Sequence, residues 1–195
     1  FFFKQKTAYE ILTCDWSSDV CSSDLYKRSK GRRETMTDIS NKIKTRGDVQ
    51  MIINHVCGKK EIIEFPNTVL NKGKEALAAS LGNKFTGTYD FYINRMIFGT
   101  AGTAGGTVKY VDASRNGLFC GSPVATKPVI SALDPNVTSQ VILTSVLATS
   151  DAVGETLNEM ALQMATGDLY SMVTFPDLTK TDQMSIIWNW TLSFI

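Results

Sequence analysis

The sequence predicts a mainly β protein, an antiparallel β-sandwich with one helix at about residues 71–81. Three observations carry that expectation. The C-terminal run MSIIWNWTLSFI alternates apolar and polar residues, as a half-buried strand does. TLNEMALQMA and DLYSMVTF flank the short turn Thr166-Gly167-Asp168, which is a hairpin signal. NKGKEALAASL supplies a run of good helix formers followed by Gly82.

In chain order, DVQMIINHVCGKKEIIEF reads as two strands about a Gly58-Lys59 turn. The helix follows, about Asn71 to Leu81, with Gly82 placed to end it. YINRMIFG is a strand, and GTAGTAGGT is expected to be a flexible connection to a short strand, VKYV. DASRNGLFCGSPVATKP reads as loop, with Asn116-Gly117 as a turn. Val137 to Ala148 form another long strand, and SDAVGE turns the chain into the hairpin. Pro176 is expected to end the hairpin's second strand, after which DLTKTDQ crosses to the last one. There Met184, Ile186, Trp188, Trp190, Leu192 and Phe194 share one face, and Ser185, Asn189, Thr191 and Ser193 the other. Ile187 and Ile195 break the pattern, and each inward Trp needs an acceptor for its indole N–H if fully buried. The four strands of the second half are expected to form a meander or part of a Greek key.

The first residues belong to none of this. Residues 1–25 show neither strand nor helix periodicity, and no apolar run long enough for a secretory signal or a membrane span. Lys4 to Ile11 (KQKTAYEI) and Asp15 to Leu25 (DWSSDVCSSDL) can be encoded by the two fixed halves of a common short-read sequencing adapter. The residues between them fall where the variable index lies. Residues 1–25 are therefore expected to be a translated artefact. In residues 26–35, the run KGRRE can be written in purine-only codons just before Met36, as a ribosome-binding site is. That stretch reads as upstream sequence, leaving residues 36–195 as a single domain.

This division changes the chemistry. The whole chain carries a net charge of +1, but residues 36–195 hold 13 Lys/Arg against 14 Asp/Glu, hence −1. The basic stretch KRSKGRR lies outside that body, so neither nucleic acid nor membrane is an expected partner. Cys14 and Cys21 belong to the adapter, which leaves Cys57 and Cys120 as isolated, reduced thiols.

No catalytic, cofactor or metal residues are assigned, and no cofactor is expected. His55 and Cys57 lie two apart on a strand, where reacting atoms rarely meet, and His55 is the sole histidine. FGTAGTAGGT lacks the G-K-[ST] ending of a phosphate loop. Glu155, Glu159 and Asp168 surround a hairpin without convergent partners and are expected to face solvent. Asp90, Asp112, Asp134 and Asp151 lack the spacing of a calcium loop.

Five stretches in order resemble small virion structural proteins of tailed bacteriophages. They are N-x-V-x-x-x-G-+-x-x-L-A at Asn67 to Ala78, GT-x-GT at Gly99 to Thr103, and L-x-E-x-A-L at Leu157 to Leu162. F-x-x-L-x-K-T at Phe175 to Thr181 and the Trp-rich strand Met184 to Phe194 complete the set. The resemblance spans most of residues 62–195. It implies a non-enzymatic β-rich building block of tail, baseplate or fibre attachment, made in the host bacterial cytoplasm and residing in the virion. Its partners would be copies of itself and other virion proteins. A carbohydrate- or host-surface-binding module is the alternative, for which Tyr89, Phe91 and Tyr92 are the candidate platform. A glycan hydrolase is the third reading and requires convergent carboxylates.

Overall fold

The computed structural model describes residues 44–82 and 91–195, all within one unit, Ile43–Ile195. The adapter-like and upstream stretches, with Cys14, Cys21, Tyr89 and Asp90, lie outside the described residues. Among the described residues the fold is mainly β, two five-stranded antiparallel sheets with one helix, as the sequence predicts.

Sheet A is built from β1 (Thr45–His55), β2 (Lys60–Pro66), β8 (Ile130–Leu133), β9 (Gln140–Leu147) and β12 (Met184–Phe194), in the order β2-β1-β12-β9-β8. Sheet B holds β3 (Thr68–Val69), β4 (Ile93–Gly99), β7 (Ala125–Pro128), β10 (Thr156–Met164) and β11 (Leu169–Thr179), in the order β3-β11-β10-β4-β7. β5 (Thr103–Ala104) and β6 (Thr107–Val108) pair as a small separate ribbon. The helix, α1, spans Asn71–Leu81, and Gly73 lets it lie against the Tyr170 carbonyl, where a Cβ would collide.

The inward face of β12 supplies the centre of the core. Met184, Ile186, Trp188, Trp190 and Leu192 are buried between the sheets with Val49, Met51 and Ile53 of β1. Trp188 packs on Phe98 and Phe175 at ring separations of 5.6 and 5.3 Å. Neither Trp188 nor Trp190 meets an acceptor with its indole N–H, so two buried donors stand unpaired where the sequence asks for partners.

Several expectations need correction. The four strands of the second half do not lie in one sheet as a meander would: β9 and β12 pair in sheet A while the β10–β11 hairpin belongs to sheet B. β11 continues past Pro176 to Thr179, because the ladder slips between Leu157 and Glu159 and the proline sits in that irregularity. ATKP, read as loop, is strand β7, paired antiparallel with β4. Together with β8 it forms one stretch that changes sheets at Val129. Asn67 makes the same crossing between β2 and β3 on the opposite side.

Candidate functional site

The outer face of sheet A carries the most organised exposed chemistry. Alternation along the strands turns Ile62, Ile52, Ile187 and Val146 outward, and the ladder sets them side by side across β2, β1, β12 and β9. Ile62 is 54% exposed and Val146 47%. Ile187, an exception to the β12 pattern, is a member of this apolar row.

The next row is polar and bonded across the same strands. Gln50 Nε2 donates to Glu64 Oε1 at 3.1 Å, Asn189 Nδ2 reaches Gln50 Oε1 at 3.5 Å, and Thr144 Oγ1 donates to Asn189 Oδ1 at 3.0 Å. Glu64, Gln50 and Asn189 of this row, with Arg46, Asp48 and Thr191, line a shallow depression of about 690 Å³. A second depression of about 280 Å³ is mainly apolar and lies between α1, the start of β4 and the inner sides of β8 and β9.

The outer side of sheet B is a bonded latch. Glu159, expected at the surface, is 0% exposed, whereas Glu155 and Asp168 are exposed. Its Oε1 accepts the N–H groups of Ala101 (3.1 Å) and Cys120 (2.9 Å), and its Oε2 accepts that of Phe119 (2.6 Å). Three charge-assisted bonds offset the desolvation of the carboxylate. Gly99 makes room for it, since a Cβ there would lie 2.6 Å from Glu159 Oε1. Beside it, Asn158 Oδ1 accepts the Gly102 N–H at 2.6 Å. Asn158 Nδ2 donates to Asp177 Oδ1 at 2.9 Å, and Thr103 Oγ1 donates to the same oxygen at 2.7 Å.

The loop expected to be loose is therefore tied at Ala101, Gly102 and Thr103, and Lys109 Nζ closes it on the Ala101 carbonyl at 2.7 Å. A second apolar layer explains the buried position of Glu159. Val111 and Leu118, from the segment between β6 and β7, cover Ile97, Ala161 and Met172 on the outer side of sheet B. β10 is buried on both faces over residues 157–162 although it carries Asn158 and Glu159, and the short apolar run Met160-Ala161-Leu162 is the one local sign of it.

Lys180 is a further buried charged residue, 0% exposed, and its Nζ donates to the carbonyls of Thr149 (3.1 Å) and Thr181 (2.7 Å). Burial pulls its amine below the usual lysine range, opposed by Asp151 and Asp182. Asp151 in turn pairs with Lys127 and accepts the Ala148 N–H. The result ties the β9–β10 and β11–β12 connections together at one end of the sandwich.

The remaining sequence candidates stay apart. His55 Nε2 lies 3.0 Å from Glu61 Oε1, which also pairs with Lys59, while Cys57 is exposed in the β1–β2 turn. Cys57 and Cys120 are both free thiols. Phe91 packs partly buried against the core, Tyr92 is exposed, and both line the second depression. Among the described residues, no group of three or more His, Cys, Asp or Glu could hold a metal ion, and no helix is long and apolar enough to cross a membrane. Comparison with protein families, curated proteins and solved structures finds no match.

Proposed function

We propose that this chain is a non-enzymatic structural component of a tailed-phage virion and works by assembling with copies of itself and with other virion proteins. The observation that carries the assembly role is the apolar row Ile62, Ile52, Ile187 and Val146 on the solvent side of sheet A. Single exposed aliphatic residues are ordinary, but four β-branched residues in register across four strands make a contiguous patch that the monomer's own core does not use. Such a face packs well against another sheet. The resemblance of Asn67 to Phe194 to virion proteins supplies the biological setting.

Light scattering on size-exclusion fractions tests this, comparing the full chain with a chain starting at Met36 and with an Ile52→Lys, Ile187→Lys double variant. The expected result is a discrete oligomer for the first two and its dissociation in the double variant, with the far-ultraviolet β signal retained. A monomer at every concentration would remove the assembly reading. It would favour the second one, a glycan- or host-surface-binding module, for which the amide and carboxyl row Glu64, Gln50 and Asn189 beside Arg46 and Asp48 is the supporting observation.

A further inference from the structure

We infer that the free edge of β8 is a seam along which a second copy of this chain continues sheet A, about a two-fold axis at Ala132. The inference rests on the assembly reading and specifies one of its contacts.

The edges of the two sheets are not alike. β2 carries Lys60, Glu61, Glu64 and Pro66, and β7 carries Lys127 and Pro128. β3 is only two residues long. Charge, proline and shortness are the usual devices that keep an edge from pairing with another chain. β8 reads Ile-Ser-Ala-Leu, with no charge and no proline, and all four residues are exposed. Ile130 is 76% exposed and Leu133 73%. Of the four sheet edges among the described residues, β8 alone combines an apolar sequence with strand length and lacks those guards.

Its backbone fixes how a partner would pair. β8 runs antiparallel to β9, and the Asp134 N–H bonds the Gln140 carbonyl at 3.1 Å. Antiparallel bonding alternates, so Ile130 and Ala132 direct their N–H and C=O groups to β9 while Ser131 and Leu133 direct theirs outward. An identical strand satisfies all four outward groups when Ser131 of each copy faces Leu133 of the other. That register places the two-fold axis at Ala132 and makes four inter-chain N–H···O bonds. It also sets Asp134 opposite Ile130, so no like charges meet.

The side chains fit the same register. Ser131 lines the apolar depression of about 280 Å³, together with Val141, Leu143, Leu77 and Tyr92. Residues directly opposite each other on paired strands lie on the same face. Leu133 of the second copy, facing Ser131, is thereby brought to the mouth of that depression. An exposed leucine on each copy thus meets an apolar hollow on the other, twice by symmetry. A four-residue seam is small beside the roughly 1,200 Å² of a stable interface, so it acts with the sheet face and not alone.

Cysteine bridging in the full chain tests the register, in a Cys14→Ser, Cys21→Ser, Cys57→Ser, Cys120→Ser background so that the introduced cysteine is the sole thiol. At the axis the two Ala132 Cα atoms would stand about 4.5 Å apart as a non-hydrogen-bonded pair, within disulfide reach. Ile130 lies on the same outer face and is at least as accessible, yet the two copies of it would be about 13 Å apart. The expected result is that Ala132→Cys forms a disulfide-linked dimer at least ten times faster than Ile130→Cys under mild oxidation. Adding Leu133→Asp should slow the Ala132→Cys reaction about tenfold. Equal rates for the two cysteines, or indifference to Leu133→Asp, would overturn the seam. Should light scattering still show an oligomer in that case, the assembly reading stands and only this contact falls. A monomer at every concentration would remove both.

Discussion

Gly47 of β1 lies directly beneath the Asn67 carboxamide, at the point where the chain leaves sheet A for sheet B. A Cβ at position 47 would collide with that side chain. Asn67 cannot easily withdraw, because its N–H bonds the Gly47 carbonyl at 3.3 Å and its Nδ2 donates to Ser171 Oγ at 2.6 Å. Gly47→Ala should therefore cost about 1–3 kcal/mol, the range for overpacking a close contact. Asn67→Gly should cost stability by itself yet relieve part of the Gly47→Ala loss, giving a coupling of at least about 0.5 kcal/mol. Urea denaturation of the four proteins in the cycle measures it, and additive losses would mean that the contact is not what excludes a side chain at 47.

The Glu159 latch predicts a larger effect. Glu159→Ala leaves the N–H groups of Ala101, Phe119 and Cys120 without their acceptor and should cost about 3 kcal/mol or more. Glu159→Gln keeps one acceptor oxygen but turns an amide N–H toward a backbone donor, so its loss should be intermediate. Hydrogen exchange should accelerate at those three amides before it does in β12. Uniform acceleration across both sheets would show that the latch has no local role.

The two thiols should differ in reactivity. Cys57 is exposed in a turn, whereas burial pushes the Cys120 thiol up and the Glu159 carboxylate beside it adds to that. Thiolate is the reacting form. A maleimide at about pH 8 should therefore label Cys57 at least ten times faster than Cys120, and Glu159→Gln should narrow the ratio. Peptide mapping by mass spectrometry reads both sites, and equal labelling in the unmodified chain would contradict the latch geometry.

The paired tryptophans make a sharper test of the core. Trp188 is fully buried among Phe98 and Phe175 with its indole N–H unpaired. Trp188→Phe removes that donor while keeping an aromatic ring, so it should cost less than about 1.5 kcal/mol. Trp188→Ala leaves a cavity and should cost about 3–5 kcal/mol. Similar losses for both would mean that the N–H contributes a bond that stabilises the fold.

How much of this was legible in the sequence depends on whether its cause was local. The alternation of β12 and the helix-forming run Asn71–Leu81 are local, and both elements stand where they were expected. Pro176 misled because a proline ends a regular strand, while this one sits in a ladder irregularity created by a partner strand. β7 and β8 were missed because each is four residues long and the stretch changes sheets at Val129, which no local pattern encodes. Glu159 reads as a surface residue in the sequence because the layer that covers it comes from Val111 and Leu118, more than 40 residues upstream. The outer row on sheet A showed only one sign in the sequence, Ile187 out of step, since its other members come from three separate strands.

Asp177 makes the latch sensitive to acid. Hydrogen bonds from Asn158 and Thr103 hold its carboxyl below the ordinary aspartate range. Because the folded value lies below the unfolded one, the folded chain binds fewer protons, and stability rises with pH through the interval between them. The contribution is present above the unfolded value, about 3.9, and is lost as pH falls through the folded one. Thermal melting followed from about pH 5 down to about pH 2.5 should show a fall that is shallower in Asp177→Asn, which keeps an acceptor oxygen but has no charge to lose. The same acidification should release the β5–β6 ribbon, read as faster exchange of the Lys109 N–H that bonds the Gly102 carbonyl. Identical acid profiles for the two proteins would place the ribbon's anchor on the neutral Asn158 bonds and not on the Asp177 charge.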